Sequence, residues 1–135
     1  MPDSHSDTIQ AANQVLLVEG DGSAVERFFT PAYVAHATEI DLSGGPEAVR
    51  AYIATLHRAF SDLEVTVEIL AEAGDRVAWQ RTLHGTQSGS YAGFPATGRR
   101  VVWRDMLVTR FEDGRIAEEW VVTDLAERLL RARKR

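Results

Sequence analysis

The chain has 135 residues, 44% hydrophobic and 26% charged, with a net charge of −5 and no cysteine. This composition fits one globular domain with a sizeable core, and no apolar run approaches the ~20 residues of a membrane helix. The acidic balance argues against nucleic acid as the main partner, and the missing cysteines exclude disulfides, thiolate catalysis and cysteine-held metals.

Residues 1–7 lack the basic-then-apolar order of a secretory signal, so the cytoplasm is the default compartment. They are expected to form a frayed tail, followed by a single domain over residues 8–130 and a basic tail over 131–135. Arg128, Arg131, Arg133, Lys134 and Arg135 crowd this end. A solvated tail is the plain reading, and an electrostatic contact with a partner is the alternative.

Thr8 to about Glu19 reads as a helix with Ile9, Ala12 and Leu16 on one face, broken at Gly20-Asp21-Gly22. Ser23 is placed to cap a short second helix through Phe29. Pro31 opens an extended piece, Tyr33 to Ala37. Gly44-Gly45-Pro46 starts the clearest helix, whose stripe is Val49, Tyr52, Ile53, Leu56 and Phe60.

From Leu63 the period changes to 2, with Leu63, Val65, Val67, Ile69 and Ala71 on one face. After a turn at 72–75, a strand runs from Arg76 to about Gly89. A Gly/Ser/Pro-rich loop leads to two long strands joined at Glu112-Asp113-Gly114, where Asp-Gly supplies the positive dihedrals of a tight hairpin. A last helical turn begins near Leu125. Helices followed by four meandering antiparallel strands give an α+β fold, a curved sheet over helices.

Four segments carry a family resemblance: Tyr33-Val34-Ala35-His36, Ala59 to Leu63, Gly85 to Gly89 followed by Gly93 to Gly98, and Arg110 to Trp120. On these the chain resembles the SnoaL-like polyketide cyclases of the nuclear-transport-factor-2-like superfamily, which also holds ketosteroid isomerases and limonene epoxide hydrolases. The resemblance implies a cone-shaped domain enclosing an apolar cavity, homodimeric through the outer sheet face, with no metal or organic cofactor. It further implies acid/base chemistry next to a carbonyl of a hydrophobic small molecule, by aldol closure or isomerisation. A non-catalytic binding protein and an epoxide hydrolase are the alternatives.

Several positions depart from the family pattern. Leu107 stands where these cyclases usually carry a His, Val121 where they carry the catalytic Asp, and Gln87 where a His is often found. Alternation supplies replacements: Trp103, Asp105 and Thr109 share the face of Leu107, and Glu119 and Thr123 that of Val121, while Ile116, Glu118 and Trp120 point away.

Asp105 and His36 are the catalytic candidates. An apolar setting turns a carboxyl into a proton carrier near neutral pH, whereas an Arg neighbour would make Asp105 structural. His36 could act as base or as donor to a carbonyl. Arg81 and Gln87 are expected inside, Arg81 neutralising an enolate or holding Asp105 ionised. Tyr33, Trp79, Trp103, Leu107, Glu119 and Val121 complete the expected substrate wall, with Tyr91 and Phe94 as further aromatics; Glu119 could also be the relocated acid/base. Asp124 is read as a helix cap and His57 as edge of core. His36 and His84 have no neighbouring ligand at zinc spacing.

Overall fold

A computed structural model describes residues 4–37 and 43–133. The extreme ends of the two expected tails, 1–3 and 134–135, lie outside the described residues. The first helix, α1 (His5–Ala12), begins earlier than its apolar stripe, because Ser4 accepts the Asp7 N–H and caps it. It does not continue as an α-helix to Glu19. Asn13–Val18 widens to a π-helix, in which Glu19 N–H reaches back to Gln14 O at 2.9 Å. Asp21, not Ser23, caps the next turn, its side chain accepting the Ser23 N–H ahead of the short α2 (Val25–Phe28).

Strand β1 (Phe29–Ala37) follows directly, then α3 (Pro46–Ala59). Gly45 sits at φ 64°, and a Cβ there would stand 2.3 Å from Pro31 O. Only glycine allows α3 to start this close to β1. Pro46 at the first helical turn needs no N–H partner there.

The sheet is built from β2 (Glu64–Ala73), β3 (Arg76–Thr86), β4 (Arg100–Glu112) and β5 (Arg115–Thr123). Its order is β1-β5-β4-β3-β2. The four-strand antiparallel meander is present, and the extended piece expected near Tyr33 adds a fifth strand, parallel to β5. The β4–β5 turn has Asp113 at φ 52° and Gly114 at φ 80°, the paired positive dihedrals of a two-residue hairpin loop.

Along β4 the buried residues are Val101, Trp103, Asp105, Leu107, Thr109 and Phe111; Val102, Arg104 and Met106 between them are exposed. One face of the sheet therefore carries the core, covered by helices bearing Ile9, Leu16, Leu17, Ile53 and Leu56. Ile116 corrects the simple alternation. Arg110 pairs with Glu118 but Phe111 with Ile116, so Ala117 is an inserted bulge residue. The bulge turns Ile116 inward while leaving Glu119 and Val121 on the inner face. Helix α4 (Leu125–Arg133) closes the fold on Leu125 and Leu129, and it carries Arg131 and Arg133 as helix where a tail was expected.

Candidate active site

A cavity of about 190 Å³ lies between the inner sheet face and the helices. Tyr33, Trp79, Arg81, Asp105, Leu107, Glu119 and Val121 all line it, together with Asn13, Tyr52, Ile53 and Tyr91. The period-2 pattern explains this meeting: inward positions of β3, β4 and β5 fall side by side, with Arg81 opposite Asp105, Thr109 opposite Glu119 and Leu107 opposite Val121.

Two polar constellations are embedded in the apolar wall. In the first, Arg81 Nε–H donates to Asp105 Oδ2 at 2.8 Å, and Arg81 Nη1–H to Asn13 Oδ1 at 3.0 Å. Asp105 is 1% exposed, and its Oδ1 has no hydrogen-bond partner among the described residues. The setting of Asp105 is therefore an ion pair, not an apolar pocket alone. Burial opposes the charge on Arg81, but Asp105, with Tyr52 and Glu119 nearby, outweighs it and raises the guanidinium above its ordinary value.

In the second, Glu119 accepts from Tyr33 Oη–H at 2.7 Å and from Thr109 Oγ1–H at 2.6 Å. Trp79 Nε1–H in turn donates to Thr109 Oγ1 at 2.8 Å. Burial raises the Glu119 carboxyl above its ordinary value, and the nearby Asp105 charge adds to this; Thr109, Tyr33 and Arg81 pull the other way. Burial and then Glu119 hold the Tyr33 phenol well above its ordinary range.

Three expected residues stay outside the cavity. His36 alternates to the outer face of β1, where its side chain is 42% exposed. It bonds Glu118 at 2.8 Å and stacks on Trp120. Glu118 is held below its ordinary value by His36 and then Arg110. Trp103 is buried against Phe60 with ring centroids 4.8 Å apart. Gln87 is fully buried but serves the 88–98 loop, accepting from Thr97 Oγ1 and donating to Phe94 O. The same loop carries Tyr91, which lines the cavity.

Asp124 accepts the Arg104 N–H at 2.8 Å and pairs with Arg128, tying α4 to β4 instead of capping the helix by its side chain. His57 bonds Leu17 O at 2.7 Å at the edge of the core. Asn13 is the site residue that strand parity could not find. Its signal was present, however: it lies four residues after Ile9 within an otherwise apolar stripe. Its Nδ2 bonds Ile9 O at 2.8 Å, so Oδ1 is left to receive Arg81.

An α+β domain with helices over a mixed, mostly antiparallel five-strand sheet is the nuclear-transport-factor-2-like fold. Within it the chain belongs to the SnoaL-like polyketide cyclase family, whose profile matches residues 7–131. It is similar to the aklanonic acid methyl ester cyclases DauD of Streptomyces sp. (strain C5), at 33% identity over 95 residues, and DnrD of Streptomyces peucetius, at 34% over 92. These matches take in 70% and 67% of this chain but only 57% and 61% of the relatives. Among solved structures, IdmH of Streptomyces antibioticus aligns over 98% of this chain and 100% of its own, at 27% identity and a TM-score of 0.80. TsrD of Streptomyces laurentii aligns over 96% and 97%, at 26% identity and a TM-score of 0.81. Among the described residues, no helix is long and apolar enough to cross a membrane.

Proposed function

We propose that this protein is a cofactor-independent cyclase acting on a hydrophobic, carbonyl-bearing polyketide. Asp105 removes a proton from the carbon beside a carbonyl, and the resulting enolate closes a ring by aldol addition. The observation that carries the reading is the state of Asp105: buried, in the cavity wall, with one oxygen fixed by Arg81 and the other without a partner. A base needs such a free oxygen, oriented by a neighbour and shielded from water. Arg81 stands beside it as the cation that steadies negative charge developing on the enolate oxygen. Hydrogen-bonded polar groups in the wall of an apolar cavity favour an enzyme over a carrier.

The names of the two Streptomyces relatives make an aklanonic acid methyl ester-like polyketide the first substrate to try. Turnover by wild type and Asp105→Asn is the test, with a loss of about 10²-fold or more expected for removal of the base. Full activity in Asp105→Asn would remove that residue from the mechanism. The same reading makes the protein a homodimer through the outer sheet face, supported by exposed Val102, Met106 and Val122.

A further inference from the structure

The second constellation has no task in the mechanism above. Its hydrogen bonds assign directions that matter. Thr109 Oγ1 accepts the Trp79 N–H, and among the described residues the acceptor that its single O–H finds is Glu119 Oε2, so the Thr109 proton points at Oε2. Oε1 is then the oxygen of Glu119 able to carry a proton, and it faces the Tyr33 hydroxyl at 2.7 Å. When Glu119 is ionised, Tyr33 donates to it and has nothing to offer the cavity. When Glu119 is protonated on Oε1, that proton donates to the Tyr33 oxygen and the phenolic O–H is released toward the cavity that Tyr33 lines.

We propose that Tyr33, recharged by Glu119, is the acid that delivers a proton to the acceptor oxygen during ring closure. This rests on the cyclase reading above and adds its missing half. Asp105 takes the proton from the carbon beside one carbonyl, and that carbon bonds to the carbon of a second carbonyl. The π electron pair of this second carbonyl moves to its oxygen, which takes the Tyr33 proton as the Glu119 proton moves to Tyr33. Closure leaves Asp105 protonated and Glu119 ionised, and exchange with solvent returns both to their starting forms. Burial of Glu119 favours the protonated form that the cycle needs. The groups facing the pair are Tyr52 from α3, Arg81 from β3 and Asp105 from β4. Arg81 opposes protonation of Glu119 and Asp105 favours it.

Proton removal and ring closure can be read separately by NMR in D2O, with an aklanonic acid methyl ester-like polyketide as probe. Deuterium entry beside the carbonyl reports the base, and product formation reports the acid. Tyr33→Phe is expected to lower closure by about 10²-fold, the usual worth of a positioned acid, and to lower deuterium entry by far less. Wild-type closure should decline on the alkaline side as Glu119 loses its proton, and Glu119→Gln, slower throughout, should lack that decline. Unimpaired closure in Tyr33→Phe overturns this role and leaves the cyclase reading standing. An equal fall in both rates also overturns it, because that marks a structural contribution. Wild-type protein that neither exchanges nor closes the probe overturns both.

Discussion

Replacing Asp105 by Asn tests the buried ion pair independently of any substrate. The side chains of Arg81 and Asp105 are 13% and 2% exposed, with N and O 2.8 Å apart. At an effective dielectric constant of about 20, their attraction is about 6 kcal/mol, much of it offset by the desolvation of both ions. Removing one partner of such a pair usually costs about 3–5 kcal/mol. The lower end applies here, because Asn13 still accepts from Arg81 and Glu119 remains nearby.

With an unfolding entropy of about 0.28 kcal/mol/K for a chain this size, a loss of about 3 kcal/mol lowers Tm by about 10 °C. Circular-dichroism melts at neutral pH of wild type, Asp105→Asn, and Asp105→Asn with Arg81→Met provide the measurement. The second change removes the stranded cation and should recover most of the loss. An Asp105→Asn melt within about 2 °C of wild type would refute the reasoning, since the pair would then contribute almost nothing.

Glu119 gives a pH prediction. Its carboxyl is raised in the folded protein above the ordinary 4.5, so the unfolded chain releases this proton first. Ionisation therefore subtracts stability from pH 4.5 upward until the folded value is passed, and nothing below it. Glu119→Gln should gain Tm relative to wild type across that window and not in more acidic solution; parallel Tm–pH curves would contradict this. His36→Ala should keep wild-type kcat/KM, because His36 lies on the outer face with Glu118 and Trp120, and a tenfold loss would return it to the mechanism. Sedimentation at micromolar concentration should show a dimer that Met106→Glu dissociates; a monomeric wild type would exclude the outer-face association.

The inward set on β3 to β5 was legible because side-chain direction in a strand follows from counting. Arg81, Asp105, Leu107, Glu119 and Val121 lie in the cavity wall for that reason. Counting failed where the backbone inserts a residue. Ala117 in the β5 bulge turned Ile116 inward, and the π-helix at Asn13–Val18 was invisible to a 3.6-residue period. His36 failed for a different reason: neighbours in β1 point to opposite faces, so the family segment around Tyr33 could place only one of the two inside. Gln87 and Trp103 were buried as expected, but burial does not say whether a side chain meets a cavity or another side chain. The parallel pairing of β1 with β5 left no local signal at all, since the two strands lie far apart in the chain.

That pairing sets the order in which the molecule becomes competent. The Tyr33–Glu119 hydrogen bond spans 86 residues, whereas β2–β3 and β4–β5 are each closed across two-residue turns. Long loops close late in folding, so the hairpins form before β1 docks and brings the phenol to its carboxylate. A species in which β1 has not docked lacks the Tyr33–Glu119 contact. Loss of β1 alone would therefore abolish turnover while most of the sheet survived, and function would be lost at lower denaturant than secondary structure.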